Sequence, residues 1–235
     1  MRVSKLVAFS LAAATAWFAI VAAKSVKGTY APKIDPANFQ TTIDNPYCPL
    51  IPGTILTYVE KSGGSESQDS ITVTSDTRVI MGVTCVVVRD RVSEKGRLKE
   101  DTFDWYAQDR QGNVWYFGED TKEFLPGGRV KTEGSWQAGA EKAWPGIMMP
   151  AHPTPGTPAY RQEYGPGHAE DMGQIVAIHD STTTPYGRFT DCVRTKEWSL
   201  LEAGTDKKWY AKGIGFVREV MADHGTAELV SVKHP

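Results

Sequence analysis

Cysteine is scarce in this chain: Cys48, Cys85 and Cys192 are the only three among 235 residues. Three thiols exclude a disulfide-stapled scaffold, and none lies in a Cys-x-x-Cys metal or redox pair. Long apolar runs are also missing beyond Lys24, so no second segment approaches the length of a membrane helix. Nor do apolar residues beyond Lys24 recur at helical spacing for three turns, which excludes a helical domain. Neither sign of charge dominates, with 26 Lys and Arg against 28 Asp and Glu interspersed along the chain. That balance provides no electrostatic footprint for nucleic acid or an anionic lipid surface. Gly-x-Ser-x-Gly, His-x-x-x-His and a glycine-rich phosphate loop are absent as well.

What the chain does have begins at its first residues. Arg2 and Lys5 precede a charge-free stretch from Leu6 to Ala23, which ends in the small residues Val21-Ala22-Ala23. This is the pattern of an export signal cleaved after Ala23; the same stretch kept uncleaved would be a membrane anchor, the only membrane contact expected. Either outcome places the remainder outside the cytoplasm, periplasmic or secreted. Without residues 1–23 the formal charge falls from −2 to −4 through loss of Arg2 and Lys5. Residues 24–46, polar and punctuated by Pro32 and Pro36, read as an extended lead-in, and residues 47–235 as one domain. In an oxidising compartment a Cys85–Cys192 disulfide is expected, because both residues fall in strand-like segments. Cys48 is then left over, as a buried thiol or an intermolecular bridge.

From Ile55 onward the pattern has period two and is rich in β-branched residues. Strands are expected at 55–59, 71–74, 78–81, 83–92, 100–107, 114–117, 130–132, 174–179, 188–198, 209–221 and 227–232. Segments 100–107 and 114–117 form a hairpin with Phe103 and Trp105 on one face. Glu100, Thr102, Asp104 and Tyr106 occupy the other face, expected to lie in water. Residues 145–167 are broken by six prolines and four glycines, and no regular element is expected there. The fold class is all-β: a curved antiparallel sheet closed or half-closed into a barrel, with a two-sheet sandwich as the competitor.

Two stretches carry a resemblance. Asp101-Thr102-Phe103-Asp104-Trp105-Tyr106-Ala107-Gln108-Asp109 followed by Gly112-Asn113-Val114-Trp115-Tyr116-Phe117-Gly118-Glu119 resembles a family of exported bacterial proteins and lipoproteins of uncharacterised function. Asn45-Pro46-Tyr47, Glu133-Gly134-Ser135-Trp136 and Tyr160-Arg161-Gln162-Glu163-Tyr164 match it too, while Tyr210 to Val217 is similar to the final strand of curved-sheet periplasmic carriers. The resemblance implies export and a curved sheet, and no activity. It does not lead one to expect His152 or His168.

Three constellations carry candidate chemistry. Aromatic residues Trp105, Trp115, Tyr116 and Trp136 could line a site for a small or lipid-like ligand or a protein partner, and core packing explains the same residues. This is the leading expectation: a non-catalytic extracytoplasmic binding protein. A hydrolase or lyase would draw an acid/base site from Glu163, His168, Glu170 and Asp171, near residues 163–171. Met148, Met149 and His152 have the thioether and imidazole chemistry of a periplasmic copper or zinc protein, although no spacing sets two ligands on one face. No pattern specifies a cofactor.

Overall fold

The computed structural model describes residues 30–235. The signal segment expected at residues 1–23 lies outside the described residues. Apart from one 3-10 turn at Pro36–Asn38, every regular element described is a strand. In chain order these are β1 (Phe39–Gln40), β2 (Ile55–Ser62), β3 (Ser65–Ile80), β4 (Val83–Glu94), β5 (Arg97–Asp109), β6 (Val114–Phe124), β7 (Val130–Lys131) and β8 (Trp136–Gln137). The second half holds β9 (Trp144–Met149), β10 (Tyr160–Arg161), β11 (Glu163–Tyr164), β12 (Asp171–Thr184), β13 (Gly187–Ser199), β14 (Asp206–Ala211), β15 (Gly215–Val220) and β16 (Thr226–Lys233). No described helix is long and apolar enough to cross a membrane.

Turn chemistry makes the long strands fold back on their neighbours. Gly63-Gly64, Met81-Gly82 and Lys95-Gly96 each join two strands with both central residues at positive φ. Their twist matches that of the flanking strands and pins the register. The resulting antiparallel sheet runs β10–β12–β13–β14–β15–β16–β2–β3–β4–β5–β6–β9–β11. β16 pairs with β2 from Thr226↔Lys61 to Lys233↔Ile55, which ties the last strand to the first long one. The two ends of the order, β10 and β11, are separated by Gln162 alone. The chain itself therefore nearly closes the sheet into a barrel. Gly146 permits this closure, because a Cβ there would overlap the backbone carbonyl of Gln162.

Three expectations change. Residues 145–167 hold β9, β10 and β11 despite their prolines: Pro145 pairs with Glu163, and Trp115 pairs with Ile147. β9 has a partner on each side, and those long-range pairings override the local proline signal. Residues Tyr210 to Val217 are not a final strand but the hairpin from β14 to β15. Cys48, Cys85 and Cys192 are all buried and unpaired, so the expected Cys85–Cys192 disulfide is absent. Cys85 lies on β4 between β3 and β5, whereas Cys192 lies on β13 between β12 and β14. Neither strand neighbours the other, and strand character alone cannot bring two thiols together.

The interior has two chemically different halves. Towards the end formed by the β3–β4, β5–β6 and β14–β15 turns, the core is apolar, with Leu56, Ile71, Val114, Met149, Phe216 and Leu229 buried. Residues 43–50 cross that end. Asn45 Nδ2 donates to the carbonyls of Gly112 (2.9 Å) and Pro150 (3.2 Å), and Gly213 N donates to Pro46 O (2.7 Å). Ile43, Cys48 and Leu50 are buried beneath them. Residues 30–46, expected only to lead in, are thus packed on the barrel, with Tyr30 donating its hydroxyl to Pro145 O (2.9 Å).

The opposite half is polar. Glu100, Thr102, Asp104 and Tyr106 of β5 face inward and are at most 3% exposed. This reverses the expectation that this face lies in water, because closing the sheet puts one face of every strand inside. Glu60, Asp69, Asp90, Glu197 and Glu219 join them from the other strands. Hydroxyls and one amine answer these acids: Ser67 Oγ donates to Glu60 (3.1 Å), Thr102 Oγ1 to Glu100 (3.0 Å), and Lys208 Nζ lies 3.0 Å from Glu197.

Candidate functional site

The segment around β8 pairs along the edge of β6, between the stretches taken by β9 and β7. Its pairing Glu119↔Trp136 requires Gly118, whose φ of 128° is open to glycine and whose Cβ would overlap the carbonyl oxygen of Trp136. Trp136 thereby comes to rest with its ring edge-on to Tyr116 at 5.4 Å between centroids. From β3, the Arg78 guanidinium reaches across β4 to stack 4.0 Å from the ring centre of Trp105 on β5, and it donates to Gln137 Oε1 at 2.7 Å. Between these groups lies a cleft of about 340 Å³, walled by Trp105 and Trp136 and bordered by Arg78, Asp120, Glu141 and His168. A second hollow of about 350 Å³ shares Arg78, Trp105 and Asp120 with it. A third, of about 320 Å³, shares His168 and adds Asp171, Ser199 and Glu202.

The four aromatic candidates divide. Trp105 and Trp136 line the cleft. Tyr116 is inside the barrel, stacked on Tyr106 at 4.8 Å and donating its hydroxyl to Asp104 (2.7 Å). Trp115 packs against Phe39 and donates Nε1 to Asp109 (2.9 Å). The alternation along β6 separates the last two, since adjacent residues of a strand face opposite ways.

The acid/base candidates are not brought together as a set. His168 and Asp171 share the third hollow. Glu163 is fully buried in the barrel, close enough to raise the pKa of the Tyr106 and Tyr116 hydroxyls, although burial is the larger cause of both shifts. Glu170 accepts from Gly167 N (3.1 Å) and pairs with Arg161 (3.3 Å), which itself stacks on Tyr164. The metal candidates divide too. Met148 and Met149 are buried in the core because β9 pairs with β6, whereas His152 is exposed. Among the described residues, no group of three or more His, Cys, Asp or Glu is arranged to hold a metal ion.

Burial explains the state of the thiols. It pushes Cys48 up to about 12 and raises Cys85 and Cys192 as well, so none is an activated nucleophile. The hairpin acids have individual structural tasks: Asp101 takes a two-pronged bond from Arg89 (2.7 and 2.8 Å), and Asp109 caps the β5–β6 turn through Asn113. Sequence reasoning missed Arg78, Gln137 and Glu141. Their joint position depends on β3, β6 and the β8–β9 turn meeting, for which the sequence has no local signal.

No protein-family model matches the chain, and no curated protein matches it. A solved structure described as "a putative lipoprotein from Parabacteroides distasonis" is similar over 80% of this chain and 98% of that one, at 14% identity and a TM-score of 0.44.

Proposed function

We propose that this chain is an extracytoplasmic, non-catalytic binding protein whose ligand or protein partner docks in the lateral cleft between Trp105 and Trp136. The observation that carries this reading is the cleft of about 340 Å³ with two indole walls. A concave site with aromatic walls and a few polar groups is the usual form of a binding pocket. The barrel interior offers less, since Tyr58, Tyr106, Tyr116, Tyr210, Met148 and Met149 fill it. The positive start and apolar run of residues 2–23 support export.

Native mass spectrometry of protein purified from its own host, paired with tryptophan fluorescence, tests the reading. A retained ligand or partner that quenches wild type and is lost in Trp105→Phe supports it. A bound molecule unaffected by Trp105→Phe and Trp136→Phe would place binding elsewhere.

A further inference from the structure

The three hollows form one run, since Arg78, Trp105 and Asp120 belong to the first and second and His168 to the first and third. The charge along this run is one-sided. Among the described residues, the central cleft has Asp120 and Glu141 beside Arg78. Asp76 stands in the second hollow, and Glu133 in the third. Aromatic faces add to this, because the negative face of an indole ring attracts a cation. The protein already uses that attraction internally: the guanidinium of Arg78 sits 4.0 Å from the centre of Trp105. The indole N–H of Trp136, a residue of the cleft wall, is buried and meets no acceptor among the described residues.

We infer that this run is a docking groove for an extended basic peptide segment, with an arginine or lysine side chain entering the cleft beside Trp136. The inference rests on the cleft being the binding site. Three hollows in series fit an extended chain better than a single small cation, and a peptide supplies backbone carbonyls as well as positive side chains. The carboxylates set the sign of the partner and steer its approach, an effect that weakens as salt is raised. Arg78 stays bound to Gln137 and Trp105 and keeps the aromatic wall in place.

The test is a titration of the purified protein with three blocked peptides of equal length: alternating Arg-Gly, alternating Glu-Gly and alternating Ser-Gly. Spermidine serves as a small cation without carbonyl groups. The readout is the indole N–H signals of Trp105 and Trp136 by NMR, with Asp120→Asn and Glu141→Gln as the variants. The expected result is that the arginine peptide alone moves both signals. Its affinity falls as salt is added and drops by up to about fivefold for each carboxylate removed, the upper size of an exposed ion pair. Spermidine binding as tightly as the peptide would overturn the peptide assignment. Binding of the serine or glutamate peptide at the same signals would overturn the cationic class and leave the cleft as the binding site. If no probe, and no ligand carried from the host, moves either indole signal, the groove and the binding-site reading fall together.

Discussion

Asp69 of β3 and Asp90 of β4 face each other inside the barrel, diagonal across the pairs Asp69↔Val92 and Ile71↔Asp90. A hydrogen bond joins the two carboxyls, and nothing else among the described residues hydrogen-bonds either carboxyl oxygen of Asp69. Two bare carboxylates cannot bond one another, so the pair shares a proton. Burial, then Asp90, then Glu60 and Glu100 hold the Asp69 pKa well above the usual carboxylate range.

The folded protein therefore binds this proton more tightly than the unfolded chain does. The contribution to stability is complete below the ordinary carboxylate pKa and is lost as pH rises towards the raised value. Across that window the wild type should lose up to about 1.4 kcal/mol per pH unit from this proton. Asp69→Asn removes the titration while keeping a donor for Asp90. Urea unfolding at a series of pH values should show the variant gaining on the wild type as pH rises, and parallel curves would contradict the shared proton.

Lys208 lies 3.0 Å from Glu197 and 3.8 Å from Glu219, all within the barrel. Burial alone would raise Glu197, but Lys208, with the hydroxyls of Thr195 and Tyr210, holds it below its usual value. Its contribution is therefore present above the ordinary carboxylate pKa and is lost as pH falls through the lowered one. Lys208→Met leaves two buried acids without their amine and should cost about 3–5 kcal/mol. Denaturant unfolding at neutral pH measures this, and adding Glu197→Gln should restore part of the loss.

Closure of the barrel depends on Gly146 meeting Gln162. Gly146→Ala forces the strands apart and should destabilise by about 1–3 kcal/mol. Gly187, with open space where its Cβ would be, provides the control. Thermal unfolding should show a clear drop for the first variant and little change for Gly187→Ala.

The thiols offer a direct check on the absent disulfide. All three are buried and unpaired. Iodoacetamide should add nothing to the native protein and three carbamidomethyl groups after unfolding without reductant. A single addition under those conditions would mean that two of the cysteines are bridged.

Much of the fold was legible from the sequence. Glycines at 63, 64 and 96 with period-two runs on either side mark hairpins, since both signals act over a few residues. Less of the site was legible. Trp105 and Trp136 stood out by residue type, but Trp115 and Tyr116 stood out equally, and only their pairing sends one outward and the other into the core. The proline count misled at 145–150, because β9 gains its order from β6 and β11, both remote in the chain.

By itself the sequence determined an export pattern at its start, an all-β domain, and the places where strands turn. These follow from short-range alternation and turn chemistry. Tertiary structure decided which face of each strand looks inward. The run Glu100, Thr102, Asp104 has the same alternation on an open sheet, where it would meet water, and in a closed one, where it meets Asp90 and Glu119. Closure depends on β16 reaching β2 and on Gln162 joining the two sheet ends. Such contacts carry no local periodicity, so the acid-lined interior and the cleft emerge only once the ring is formed.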